Sequence, residues 1–171
     1  MDLAALNALD ADAATRAFLD CCGSTRWASR MTVARPFASA DAMADAADRI
    51  WASLDPNDWL EAFASHPRIG AGGAGGAGGA SWASDEQAGV QSATSDLRHR
   101  LADGNRGYEA RFGYIFIVCA TGKSAEEMLA ILELRLRNDP EVELTIAAEE
   151  QRRITRLRLA KLIADTPLHR S

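Results

Sequence analysis

His66 is the residue whose type and place in the sequence best suit proton transfer. An imidazole titrates near neutral pH and can act as a general acid or base. The ring closes a run written Trp59-Leu-Glu-Ala-Phe-Ala-Ser-His-Pro-Arg-Ile-Gly70. Asp55-Pro56 just before it signals a helix start: a capping carboxylate, then a proline whose missing N–H is not needed in the first turn. Trp59, Leu60 and Phe63 fall at i, i+1 and i+4, which predicts one apolar face. Pro67 stops the helix, because its ring pushes the preceding residue out of the α region. His66 therefore sits at the negative end of the helix dipole, which favours the protonated ring and suits proton donation. A histidine at a helix end also serves as an ordinary surface or packing residue.

Other chemical motifs are weaker. Gly70 to Ala80 is a Gly/Ala repeat that follows a helix and lacks a closing lysine. A phosphate loop needs a strand before it and a Gly-Lys-Ser/Thr ending, so the repeat reads as a flexible loop. Gly122-Lys123-Ser124 has that ending, but Ile117 stands where the motif requires its first glycine. Cys21, Cys22 and Cys119 match no zinc or redox spacing, and Cys21-Cys22 reads as two buried thiols. No cluster with metal-ligand spacing is present in the sequence.

The elements that must position His66 are helical. Leu3, Leu6 and Leu9 recur at spacing three, and Gly23 breaks the helical pattern of residues 1 to 22. Ser24 caps a short helix carrying Trp27 and Met31; Arg35-Pro36-Phe37 is a turn. From Ser39 or Asp41, the residues Met43, Ala46, Ala47, Ile50, Trp51 and Leu54 form an apolar stripe. Past the Gly/Ala repeat, Ser84 caps a helix with Glu86 and Gln87 in its first turn. Its buried face is predicted as Val90, Ala93, Leu97 and Leu101, and Asp103-Gly104-Asn105 reads as a turn.

Tyr108 to Ala120 is rich in aromatic and β-branched residues, which favours a strand locally. A single strand would lack a partner, so a buried helix is expected, opened by Arg111. Ser124 caps the next helix, predicted to bury Met128, Leu129, Ile131, Leu132, Leu134 and Leu136. Asn138-Asp139-Pro140 ends it, and a last helix runs from about Glu141 to Ala164. With no two-residue alternation, the expected fold is all-α: one compact domain over residues 1–171 of about seven to nine helices, with a flexible loop at 70–80.

Composition narrows the class. The chain has 171 residues, 47% apolar and 25% charged, as in an ordinary globular protein. A net charge of −5 offers no basic footprint, so neither nucleic acid nor an anionic membrane is an expected partner. No apolar run reaches transmembrane length, and Met1-Asp-Leu-Ala-Ala lacks a signal peptide's basic start. A cytoplasmic, reducing location is expected.

The motifs together resemble the OHCU decarboxylase family. They are Leu19-Asp-Cys-Cys-Gly-Ser24 with Trp27, Ala34-Arg-Pro-Phe37, His66-Pro-Arg-Ile-Gly70 and Glu86-Gln-Ala-Gly89. Asn105 with Tyr108, Arg111-Phe-Gly-Tyr-Ile-Phe-Ile-Val-Cys-Ala120, Gly122-Lys-Ser124, Leu134-Arg-Leu136 with Asn138, and Ile154 to Leu159 continue in the same order. The resemblance implies an all-helical, cofactor-free enzyme of urate breakdown, commonly a homodimer. Its substrate would be 2-oxo-4-hydroxy-4-carboxy-5-ureidoimidazoline, and its products (S)-allantoin and carbon dioxide. It places the catalytic groups on His66, Glu86 and Arg158. Substrate contacts fall on Pro67, Ser84, Gln87, Phe116, Ile117, Val118, Cys119 and Ala120. Ala83 stands where the family usually has serine, with Ser84 beside it.

That chemistry sets three tasks: grip an anion, stabilise the charge left as carbon dioxide departs, and deliver a proton to one face. A guanidinium fork suits the first, His66 the last, and Glu86 can orient the histidine or accept from substrate N–H and O–H groups. Arg158 falls between Ile154 and Leu162 on the helical wheel, inside a mainly apolar arc; Arg156 lies on the far side and is the second choice. Tryptophans 27, 51, 59 and 82 suggest more apolar surface than one small core needs, consistent with a dimer. The competing reading is a non-catalytic helical interaction domain on the same scaffold.

Overall fold

Capping chemistry starts each helix of the computed structural model, which describes residues 1–68 and 93–164. Asp2 and Asp10 accept from the Ala5 and Ala13 N–H groups at 2.8 and 2.7 Å, opening α1 (Leu3–Ala8) and α2 (Ala11–Cys22). Gly23, at φ +83°, closes α2 in the left-handed conformation. Ser24 and Ser39 cap α3 (Thr25–Val33) and α4 (Ala40–Ala52). Pro56 opens α5 (Pro56–Ala64), and the Asp55 carboxylate accepts from Asn57 N–H at 2.9 Å. Thr94 caps α6 (Ser95–Phe112), Ser124 and Glu127 form a capping box on α7 (Ala125–Arg135), and Pro140 begins α8 (Pro140–Ala164). Among the described residues there are eight helices and no strand, so the fold is all-α.

The contacts gather into two compact units. The first comprises Met1–Ala62 and the chain from Arg152 onward. Its core holds Leu6, Phe18, Trp27, Met31, Met43, Ile50 and Trp51, so the predicted stripe on α4 is buried. Phe18 meets Trp27 and Phe37 edge-on, and Trp27 Nε1–H donates to Ala47 O at 3.1 Å. Arg35 donates to the carbonyls of Leu6 and Leu9 at 2.8 Å, satisfying groups at the end of α1.

The second unit, Phe63–Gln151, is built on Leu101, Tyr108, Phe116, Val118, Met128 and Leu132. Here the structure corrects several expectations. Asp103-Gly104-Asn105 is not a turn: α6 runs straight through it. Gly104 is needed for packing, because a Cβ there would stand 2.6 Å from Leu132 Cδ2 on α7. Thr94 starts α6 with extended backbone, so the predicted helix does not run unbroken to Leu101. Residues 108 to 112 are the last turn of α6, which places Arg111 at its end rather than at the start of a new helix. Gly113, at φ +81°, stops the helix, and residues 115 to 120 are neither helix nor strand.

Two leucines also differ from the apolar faces read in the sequence. Leu60 is 37% exposed, and α5 buries Ala62 and Phe63 instead; Leu134 is 66% exposed, and the buried position beside it is Arg135. The Gly/Ala stretch at 70–80, Trp82, Ala83, Ser84, Glu86, Gln87 and Val90 lie outside the described residues.

Candidate active site

His66 stands just past α5, its own N–H donating back to Phe63 O at 3.2 Å. The turn that follows is tied to α6 by a two-pronged ion pair, Arg68 Nε and Nη2 to the Glu109 carboxylate at 3.0 and 2.7 Å. Hydrogen bonding within that pair raises the Arg68 pKa and lowers that of Glu109. His66 is half-buried, as is Pro67. Its Nε2 lies 2.7 Å from Oε1 of Gln151, a wholly buried residue of α8.

Phe116, Ile117, Val118, Cys119 and Ala120 are all buried, as the sequence led one to expect. Lacking a ladder, this run has three of its backbone groups held by side chains. Ile117 C=O accepts from Arg135 Nη1 at 2.7 Å. Cys119 N–H donates to Glu150 Oε2 at 2.7 Å, and Cys119 C=O accepts from Lys123 Nζ at 2.7 Å. Ala120 C=O takes the Lys123 N–H at 3.0 Å. Glu150 and Gln151 are consecutive on α8, so one step of helix joins the Cys119 amide to the His66 ring.

Arg135 anchors this run from below. Its Nε and Nη2 meet Glu143 Oε1 at 2.8 and 2.6 Å, and Asn138 Nδ2 donates to the other Glu143 oxygen at 2.8 Å. Tyr108 O–H also donates to Glu143, and burial and that bond push the phenol's pKa well up. The guanidinium lies 4.8 Å from the centre of the Phe116 ring, a cation–π distance. A buried ion pair must have its remaining donors and acceptors filled, and this one does so with Ile117, Asn138 and Tyr108.

Arg158 belongs to the first unit. It is 3% exposed, as its place in the apolar arc predicts, and its Nη1 lies 3.4 Å from Cys21 O. Cys21 and Cys22 are wholly buried, and burial pushes both thiols up to about 12. Arg156, the second choice, is partly exposed and pairs with Asp48 at 3.0 Å and Asp45 at 3.4 Å.

Gln151, Glu150 and Arg135 were not singled out by the sequence reading. A signal for the first was available: Glu143, Gln151, Thr155 and Arg158 are buried polar residues spaced by multiples of a helical turn on α8. Glu150 gave none, because it acts on backbone distant in sequence, and Arg135 stood only within the Leu134–Leu136 motif, with no role read for it. Among the described residues no group of three His, Cys, Asp or Glu is placed to hold a metal ion, and no helix is long and apolar enough to cross a membrane.

Comparison with known proteins places this arrangement. The family model described as OHCU decarboxylase matches residues 7–160. The uric acid degradation bifunctional protein TTL of Arabidopsis thaliana is 38% identical over 148 residues, which is 85% of this chain and 46% of that protein. The chain thus spans less than half the length of this relative. The 2-oxo-4-hydroxy-4-carboxy-5-ureidoimidazoline decarboxylase of Haloferax volcanii is 28% identical, covering 94% of this chain and 95% of its own. A crystal structure of OHCU decarboxylase in the presence of (S)-allantoin superposes with a TM-score of 0.78 at 37% identity, covering 88% of this chain and 99% of that one. With motifs, helical fold and family model agreeing over nearly the whole sequence, the chain belongs to the OHCU decarboxylase family.

Proposed function

We propose that this protein decarboxylates 2-oxo-4-hydroxy-4-carboxy-5-ureidoimidazoline to (S)-allantoin, without a cofactor. The observation that carries this reading furthest is the pairing of His66 with Gln151 beside the bond between Cys119 and Glu150. It brings an imidazole to a buried run whose Val118 N–H and C=O and Ala120 N–H have no hydrogen-bond partner among the described residues. Buried peptide groups of that kind suit the donor and acceptor edges of a ureido arm. Phe116 and Ile117 would exclude water, and Pro67 would fix the approach to the ring.

In this reading Arg158 grips the substrate anion through its planar fork. The C–C bond to the carboxylate breaks, its electron pair stays on the ring, and carbon dioxide leaves. The pair forms an enol with the neighbouring ureido-bearing carbon. His66 delivers a proton to that neighbour from one face as the hydroxyl left on the decarboxylated carbon gives up its proton and becomes a carbonyl, which makes the product (S)-allantoin. Glu86 orients the imidazole or accepts from the substrate, while Ser84 and Gln87 contact it.

The protein acts as a cytoplasmic homodimer in this proposal. Free thiols at Cys21, Cys22 and Cys119 favour a reducing compartment. The dimer rests on the family resemblance, since Trp27 and Trp51 are spent in the core. Freshly prepared substrate should yield (S)-allantoin, seen by circular dichroism, faster than spontaneous decay. A racemic product at the spontaneous rate would overturn the activity, and monomers alone by light scattering would overturn the dimer.

A further inference from the structure

We infer that Gln151 is a positioning residue for His66, its buried carboxamide setting the plane and tautomer of the imidazole. The inference rests on the reading of His66 as the group that exchanges the proton. Gln151 lies inside α8, is wholly buried, and reaches a ring 85 residues away in sequence. A buried amide is costly unless hydrogen-bonded, so the site is built to keep this contact. With Oε1 2.7 Å from Nε2, the carbonyl accepts from Nε2–H, and the neutral ring keeps its lone pair on Nδ1.

The partner's chemistry is informative. A carboxylate here would favour the charged ring; a carboxamide orients it and adds no charge. Gln151 also sits beside Glu150, which holds the Cys119 amide at 2.7 Å. Successive helical residues point about 100° apart, so one rigid segment fixes both the ring and the buried run. His66 alone is on a turn after α5, where proline limits the backbone but not the ring's rotation about its side-chain bonds.

The test is nitrogen NMR on protein labelled with ¹⁵N-histidine, at a pH where the ring is neutral, with kinetics on the same samples. His66→Asn identifies the resonance and tests the underlying reading. The native ring should show the Nε2–H form almost alone. Gln151→Met, which keeps length and volume but not the acceptor, should give a tautomer mixture. Its kcat should fall by about tenfold or more, with KM within about twofold of native. Gln151→Glu, which restores an acceptor, should restore the Nε2–H form. A native ring in the Nδ1–H form would overturn the inference even if no variant folds. So would a folded Gln151→Met protein with unchanged kcat. If His66→Asn is fully active, the reading of His66 fails instead, whatever the tautomer spectrum shows.

Discussion

Arg135 and Ile117 are joined through a guanidinium Nη1 and a peptide carbonyl at 2.7 Å, and that bond substitutes for a missing β-ladder. Arg135→Met removes the donor and leaves Glu143 charged in a pocket with no solvent exposure. Breaking one partner of a buried pair typically costs about 3–5 kcal/mol. A urea titration should show that loss, and Arg135→Met with Glu143→Leu should recover part of it. A single variant as stable as native would show that the pair does not hold the run.

Gly104 and Gly107 lie on one helix and should respond oppositely to alanine. A Cβ at Gly107 meets nothing within 4 Å, so Gly107→Ala should gain about 0.5–1 kcal/mol from helix propensity. At Gly104 the new Cβ would press on the fully buried Leu132 side chain at 2.6 Å. Overpacking costs about 1–3 kcal/mol and should outweigh the propensity gain. Melting temperatures moving the same way would contradict the close contact of α6 and α7.

Cys21 and Cys22 carry a pH dependence with a definite sign. Their thiols are raised from 9.0 to about 12 in the folded state. Their contribution to stability is therefore complete below pH 9 and is lost as pH rises from there toward 12. Urea midpoints should fall over that alkaline range, and less steeply in a Cys21→Ala, Cys22→Ala protein. Both thiols should resist a thiol reagent at pH 8 until the chain is unfolded.

His66→Asn should abolish the enzymatic reaction and leave the fold intact. Asparagine is close in size and tolerates the position before Pro67, but cannot donate a proton at neutral pH. A rate loss of about a hundredfold or more is expected after subtracting spontaneous decay. Native activity with native helicity would remove His66 from the mechanism.

Arg158→Lys keeps the charge and loses the fork. If the substrate anion is its partner, binding should weaken by about 1.5–3 kcal/mol, while stability changes little. Allantoin titration and a melting curve on one preparation separate the outcomes. A large fall in melting temperature with unchanged affinity would make Arg158 a structural residue.

Much of the fold was legible because local signals and packing agreed. Ser24, Ser39, Ser124 and Pro56 sit where caps and first turns were read, and the α4 stripe is buried. The reading failed where a distant group decided the outcome. Gly104 reads as a turn residue until Leu132 is seen against it, and Leu134 reads as core until Arg135 takes the buried position. The 115–120 run was read as a helix because a lone strand lacks partners. The partners are side chains of Arg135, Lys123 and Glu150, which no local pattern announces. The buried state of Arg158 was legible from the helical wheel; Gln151 stands on the same polar stripe of α8, but its bond to a ring 85 residues away was not.

The side-chain clamps on residues 117 to 120 also bear on solubility. Tyr114 to Ala120 is a seven-residue stretch with strong β-propensity, no charge and no proline. Such segments stack into cross-β fibrils when their peptide groups are left open to other chains. In the native protein three of those groups, Ile117 C=O and both polar groups of Cys119, are already plugged. The same bonds that shape the run therefore act as gatekeepers. Variants that loosen Arg135, Lys123 or Glu150 should form inclusion bodies and thioflavin-positive aggregates well before they lose their helices.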